Sequence, residues 1–156
     1  MSTVITFLNS RCHFRYEVVI ANNGSTDRTL QIAHELAQLY PAVKVLHLDQ
    51  KGRGRALKTA WRESAADILS YMDADLSSDL PAFPDLIALL VTGQADLATG
   101  SRLLPGSLTV RSFKREVLSR AYNLLVKLLF QTRFSDAQCG FKAITRSAAQ
   151  NLLPKL

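Results

Sequence analysis

The sequence predicts an α/β fold with a mainly parallel sheet flanked by helices. Short β-branched runs alternate with segments whose apolar residues recur at helical spacing. Turns that contain proline, glycine or aspartate separate these segments. Strand–helix alternation of this kind implies parallel strands joined by right-handed crossovers, with helices on both faces of the sheet.

The first half of the chain is predicted to run helix, strand, helix, strand, helix, strand. A β-branched run that includes Val18, Val19 and Ile20 favours the first strand. Pro41 ends the second helix, since proline cannot continue one. The predicted bounds are Ser2–Phe14, Tyr16–Ala21, Leu30–Tyr40, Val43–Leu48, Arg55–Ala66 and Asp67–Met72.

The second half continues the alternation. Pro81 at the start and Gly93 just past the end follow the usual asymmetry of helix termini. The predicted order is helix, strand, helix, strand, helix, with bounds Pro81–Thr92, Ala95–Thr99, Ser112–Phe130, Gly140–Ile144 and Ser147–Leu153.

Composition favours a single globular domain over residues 1–156. Hydrophobic residues make up 47% and charged residues 21% of the chain, an ordinary globular mixture. No run of eighteen apolar residues or signal peptide is evident. Cys12 and Cys139 have neither metal-site nor redox spacing, which indicates reduced thiols and a cytoplasmic location.

Positive charge is concentrated in one segment. The net charge is +6, and residues 111–133 carry six cations against the single acid Glu116. Such a segment favours a phosphate-bearing partner or an anionic membrane surface. Nucleic acid is a weaker partner, because few aromatic residues accompany the cations and an acidic pair lies elsewhere.

Four polar turns follow the predicted strands and are expected to converge, because ligands bind beyond the carboxyl ends of parallel strands. One turn carries Asp73 and Asp75 directly after an apolar run, and paired carboxylates suit Mg²⁺ or Mn²⁺. The alternative is a solvated strand-end turn, where Asp is common. The turns are Asn22–Asp27, Gln50–Gly54, Asp73–Ser77 and Gly100–Arg102.

These motifs, in this order, resemble the family 2 inverting glycosyltransferases, and more narrowly the polyprenyl-phosphate or dolichyl-phosphate sugar transferases. The Asp-x-Asp and Gly-Ser-Thr-Asp motifs are shared across the broad family, whereas the last block is more specific to the lipid-phosphate branch. The matching segments are Asn22–Asp27, Lys51–Leu57, Asp73–Ser77, Gly100–Arg102, Lys114–Arg120 and Ser135–Lys142.

The resemblance implies a GT-A (Rossmann-like) fold and a partial catalytic domain. The family's first strand and its C-terminal portion have no counterpart here, so the activity of this piece alone is uncertain. The first turn also departs from the family, which commonly has Asp-Asp where Asn22-Asn23 stand. The implied reaction is the metal-dependent transfer of a sugar, with inversion, from a uridine- or guanosine-diphosphate sugar to a polyprenyl phosphate. The implied location is peripheral, on the cytoplasmic face of the membrane.

The resemblance also implies roles for individual residues. Asp75 and Asp73 would hold Mg²⁺ or Mn²⁺, and Asp136, Asp73 and Arg115 would be catalytic. Arg115, Arg120 and Lys114 would bind the acceptor phosphate. The implied residues of the nucleotide-sugar site are Asn22, Asn23, Asp27, Arg53, Gly54, Asp73 and Arg102.

Several alternatives remain open from the sequence. The apolar part of the Lys114–Phe130 helix would either lie at the bilayer interface or pack in the core. An Asp-x-Asp pair after a strand also occurs in aspartyl phosphatases, and Asn22-Asn23 would suit an inactive nucleotide-binding remnant.

Overall fold

The computed structural model describes residues 1–75, 79–101, 113–132, 136 and 138–155, with only the backbone of residues 113–116. These residues form two compact units. The first unit comprises Met1–Leu69 and Thr145–Leu156, and the second comprises Ser70–Ile144.

In the first unit, two parallel strands lie side by side, with β1 residue Val18 opposite β2 residue Val43. Helix α2 contacts both strands, and helix α3 contacts β1. The buried residues Ala33 on α2 and Ala56 on α3 allow close packing onto the strands. The elements are α1 (Ser2–Arg11), β1 (Val18–Asn23), α2 (Thr29–Leu39), β2 (Val43–Leu48), α3 (Arg53–Glu63), and, after the second unit, α6 (Arg146–Leu152) with a short 3₁₀ turn (Leu153–Lys155).

In the second unit, helix α4 packs against strand β4. Its buried side chains recur at helical spacing and form one apolar stripe: Phe83, Leu86, Ile87 and Leu90. The elements of this part are a 3₁₀ turn (Leu80–Ala82), α4 (Phe83–Val91), β4 (Leu97–Thr99) and α5 (Phe113–Phe130). Strands β3 (Ile68–Tyr71) and β5 (Lys142–Thr145) each cross the boundary between the units, and the second sheet has the order β3-β5-β4.

The α/β fold class is confirmed, but the direction of one described strand pair differs from the prediction. Strands β4 and β5 are antiparallel, with Ala98 opposite Ala143, whereas the alternation of elements predicted parallel neighbours. The long connection from Gly100 to Phe141 contains helix α5 and can return the chain in either direction. Element order alone does not fix the direction of such a strand.

Candidate functional site

The first predicted turn begins inside strand β1. The strand continues through Asn23 rather than ending at Ala21, and its register places Asn22 opposite His47. The Asn22 side chain is 2% exposed. Its Nδ2 lies 3.0 Å from His47 Nδ1, and its Oδ1 accepts a hydrogen bond from the Ser25 N–H at 3.3 Å. Asn22 therefore fastens the turn to β2.

The Asn22 amide also selects the tautomer of His47. The amide can only donate through Nδ2, so Nδ1 of a neutral His47 accepts and Nε2 carries the proton. His47 Nε2 lies 3.2 Å from Asp49 Oδ1, where that proton is well placed. His47 is not among the site residues predicted from the sequence. The missed signal is its position opposite Asn22 in the neighbouring strand.

Asn23 joins the first turn to the second. Its Oδ1 accepts a hydrogen bond from the Gly52 N–H at 2.6 Å, and Gly52 is the N-cap residue of α3. The predicted convergence of the Asn22–Asp27 and Gln50–Gly54 turns is thus confirmed. Backbone N–H groups at the first turn of a helix favour phosphate groups.

Gly24 is the position in this turn that requires glycine. Its φ is +61°, and a Cβ there would lie 2.9 Å from the backbone oxygen of Asp49. Real Cβ atoms do not approach a backbone oxygen so closely, so the turn can pack against Asp49, just past β2, only without a side chain.

Gly24→Ala is expected to destabilise the protein by more than Gly93→Ala. Gly93 also has a positive φ, +69°, but a Cβ there meets nothing within 4 Å. Left-handed backbone costs alanine about 1 kcal/mol at either position, and the Asp49 contact adds strain only at Gly24. Urea unfolding of the two variants measures the difference. Equal losses of unfolding free energy would show that the close approach does not matter.

Asp27 lies just before α2, whose N-cap residue is Arg28. Its Oδ1 accepts a hydrogen bond from the Thr29 N–H at 3.0 Å. Hydrogen bonds from the side chain and backbone of Thr29 lower the pKa of the Asp27 carboxyl. Because this pKa is lowered on folding, the stabilisation is present above the normal Asp pKa and is lost as the pH falls through the lowered value.

The remaining residues predicted for the second turn lie in the first turn of α3. Arg53 and Gly54 are exposed, and a Cβ added to Gly54 would meet nothing within 4 Å. Arg55 donates from Nη1 to Gln50 Oε1 at 2.6 Å. Gly54 is therefore not needed for packing within the described residues.

In the second unit, the carboxylate pair follows strand β3 as predicted. Asp73 is half-buried and Asp75 is exposed, with Ala74 and Asp75 in a turn. Ser101 is half-buried after β4. Ser77 and Arg102 lie outside the described residues.

Asp136 lies in the interior of the second unit, with 1% of its surface exposed. Its backbone oxygen accepts a hydrogen bond from the Cys139 N–H at 3.2 Å. Lys142 Nζ donates to the Cys139 oxygen at 2.8 Å and to Thr99 Oγ1 at 3.4 Å. These bonds hold the turn that contains Asp136 against the end of β4.

Gly100 completes this packing. Its N–H donates to the Phe141 oxygen at 2.8 Å. A Cβ at Gly100 would lie 3.0 Å from the Phe141 ring and 3.4 Å from Cys139 Sγ. The sequence placed Lys142 in the Ser135–Lys142 motif without a role. Its position opposite Thr99 in the β4–β5 register supplies one.

Helix α5 exposes most of its apolar side chains. Asn123, on the same helix, is buried and donates from Nδ2 to the Ser119 oxygen at 2.9 Å. Within the described residues, these apolar side chains therefore meet solvent and do not pack in a core. Exposure of the following residues is 57–72%: Leu124, Leu125, Leu128, Leu129 and Phe130.

The cations predicted for the acceptor phosphate belong to the same helix. Arg120 is exposed, while Lys114 and Arg115 lie in the stretch whose side chains are not described. Among the described residues, none of the helices has the length and apolar character needed to cross a bilayer.

The carboxylate oxygens after β3 suit a hard divalent cation that also binds a phosphate-bearing ligand. Asp73 and Asp75 offer carboxylate oxygens one residue apart at a strand end, and Mg²⁺ and Mn²⁺ prefer oxygen ligands. Within the described ranges, no group of three or more His, Cys, Asp and Glu side chains could hold a metal. Two carboxylates leave coordination positions for phosphate oxygens and water.

Comparisons with known proteins agree with this arrangement of motifs. Glycosyltransferase AglD of Haloferax volcanii is 41% identical over 138 residues, which are 88% of this chain and 22% of that protein. The dolichyl-phosphate beta-glucosyltransferase of Drosophila melanogaster is 33% identical, over 92% of this chain and 47% of that protein. Its Mus musculus counterpart is 32% identical, over 100% of this chain and 52% of that protein.

A solved structure supports the fold. The crystal structure of a mycobacterial protein matches 94% of this chain and 48% of that chain, with a TM-score of 0.64 and 23% sequence identity. The chain therefore spans about half the length, or less, of the proteins it matches. The sequence model described as glycosyl transferase family 2 matches residues 2–153, and the chain belongs to that family.

Proposed function

We propose that the protein containing this chain transfers a sugar, with inversion, from a nucleoside diphosphate sugar to a polyprenyl phosphate. The observation that carries the proposal is the Asp73–Asp75 pair directly after strand β3 in a family 2 chain. Relatives named dolichyl-phosphate beta-glucosyltransferases support the lipid phosphate acceptor.

On the donor side, the two asparagines act differently from the family's carboxylates. Asn22 is buried and bonded to His47 and Ser25, so it would shape the turn. Asn23 holds Gly52, which sets the start of α3. The exposed residues Arg53 and Asp27 are left to approach the phosphates and the ribose.

Asp75 and Asp73 would hold Mg²⁺ or Mn²⁺ beside the donor diphosphate. When bound, the cation neutralises charge on the leaving nucleoside diphosphate. Arg102 would bind phosphate oxygens of the donor, because the planar guanidinium matches phosphate geometry.

On the acceptor side, the phosphate is itself the nucleophile. A phosphate monoester is largely ionised at neutral pH, since its second pKa is about 6. In-line attack on the anomeric carbon then requires position more than proton removal, and Asp136 would orient the reacting groups. Lys114, Arg115 and Arg120 would hold the acceptor phosphate near the start of α5.

The exposed apolar residues of α5 would rest at the membrane interface, where the lipid acceptor resides. Cations near the beginning of the helix, followed by exposed Leu124, Leu125 and Leu128, form the pattern of an interfacial helix. This arrangement would place the protein peripherally on the cytoplasmic face of the membrane.

Gly54→Ala is expected to stabilise the chain and weaken the donor site. The Cβ meets open space in the first turn of α3, so helix propensity favours alanine by up to about 1 kcal/mol. The same Cβ would crowd a diphosphate that approaches the backbone. Thermal unfolding and the donor KM of the complete protein measure the two effects. A raised Tm with an unchanged KM would remove Gly54 from the donor site.

The deciding experiment is a donor screen of the complete protein. Uridine- and guanosine-diphosphate sugars are offered with polyprenyl phosphate, with and without Mn²⁺, and the lipid-linked sugar is measured. Metal-dependent product supports the proposal. Nucleotide binding without product would favour the inactive remnant, for which Asn22-Asn23 is the specific observation. Hydrolysis of an aryl phosphate would favour a phosphatase instead, an alternative that gains no support from the family.

A further inference from the structure

The first unit contains a cavity of about 500 Å³ between the C-terminal half of α3, the start of β3 and α6. This volume is in the range of small-molecule sites. Leu69, Ala149 and Leu153, all buried, supply an apolar surface, and Trp61 of α3 lines the cavity beside them.

The polar part of the cavity has one sign of charge. Lys58, Arg62 and Arg146 line it, and its described lining residues include neither Asp nor Glu. Asp67 lies near one of these cations, with its Oδ1 3.9 Å from Arg146 Nη2. A further bond from Arg146 Nε to the Ala66 oxygen, at 2.9 Å, fixes the position of that guanidinium. Lys58 and Arg62 add two cations from successive turns of α3.

The cavity is separate from the turns assigned to the donor. Those turns meet at the N-terminus of α3, where Gly52 is the cap. The cavity lies along Lys58–Ser64 at the other end of the helix. Eleven residues of α-helix span about 16 Å, so one small ligand cannot occupy both positions.

We propose that this cavity binds a small amphiphilic phosphate. The phosphate lies against Lys58 and Arg62, since cationic side chains and phosphate oxygens form charge-assisted hydrogen bonds. The apolar body of the ligand covers Leu69 and Leu153 beside Trp61. Neutral lipids leave the charges of Lys58 and Arg62 unbalanced, and inorganic phosphate leaves the apolar surface uncovered.

Trp61 is the single tryptophan of residues 1–156, so its fluorescence in this 156-residue chain reports on the site. Trp61 fluorescence is followed during titration with dihexanoyl phosphatidic acid below its micelle concentration. Phenyl phosphate, inorganic phosphate and dihexanoyl phosphatidylcholine are titrated in parallel. A saturable change is expected with phosphatidic acid or phenyl phosphate. Inorganic phosphate is expected to bind at least roughly tenfold more weakly than either probe. Tighter binding of phosphatidic acid would indicate that the natural ligand is a lipid phosphate, and tighter binding of phenyl phosphate would indicate an aromatic phosphate.

Variants locate the phosphate. Lys58→Gln/Arg62→Gln is expected to weaken binding at least about tenfold, because two charge-assisted contacts are lost. Arg15→Gln, an exposed cation that does not line the cavity, is the matched control. Circular dichroism verifies that each variant is folded.

Three results would overturn the proposal. They are equal binding of phosphatidylcholine, equal binding of inorganic phosphate, and unchanged affinity in a folded Lys58→Gln/Arg62→Gln variant. None of these results bears on sugar transfer, because the cavity shares no residue with the proposed donor and acceptor sites.

Discussion

Asp75→Asn is expected to abolish metal-dependent sugar transfer by the complete protein while the fold stays intact. Asp75 is exposed in the turn after β3, so loss of its charge costs little stability. An amide is a poorer ligand for a hard cation than a carboxylate, and the remaining Asp73 offers a single carboxylate. We expect a decrease in kcat/KM of at least about a hundredfold, measured with saturating Mn²⁺.

The matched control is Asp85→Asn, which removes an exposed carboxylate from the first turn of α4. Its transfer activity should stay near that of the unaltered protein, and both variants should unfold at nearly the same temperature. Chelation of divalent cations should lower the activity of the unaltered protein and leave little further to lose in Asp75→Asn. Full activity of Asp75→Asn with Mn²⁺ present would refute the metal assignment.

Asp136→Asn is expected to lower kcat by roughly ten- to a hundredfold without changing the shape of the pH–rate profile. The side chain is buried, and its turn is held by Cys139 and Lys142. An asparagine of the same size keeps the packing but loses the charge that would orient the reacting groups. The rate should rise with pH near the second phosphate pKa, about 6, in both proteins.

The pH profile separates orientation from base catalysis. If Asp136 were the general base, removal of the carboxylate would take away an ionisation seen in the profile and cost about a thousandfold or more. Loss of such an ionisation in Asp136→Asn would contradict the orienting role. Thermal unfolding of the variant separates either result from a loss of structure.

Much of the element order was accessible from the sequence, because its helices and strands carry clear periodic signals. The prediction of Val43–Leu48 as a strand is matched in both bounds, and the stripe of α4 gave a helix predicted within two residues. The contact between the first two turns was also predictable, since adjacent parallel strands end at the same edge of a sheet.

Other features depend on contacts that a single sequence does not display. Asn22 and Asn23 have polar side chains typical of a loop, but hydrogen bonds to His47 and Gly52 allow both to belong to β1. Strands β4 and β5 pair antiparallel, which the order of the elements does not determine. Apolar residues on α5 have the same spacing whether they meet a core or solvent, so periodicity could not choose between the two.

The hydrogen bond from the Gly52 N–H to Asn23 Oδ1 has a consequence for redesign of sugar or base preference. Exchange of residues 22–27 or of residues 50–54 alone would alter one partner of this hydrogen bond and keep the other. The end of β1 and the start of α3 would then no longer match. Grafts from a relative should therefore carry residues 22–27 and 50–54 together. Combinatorial libraries that vary the two segments independently would lose this hydrogen bond in many members, whatever their intended selectivity.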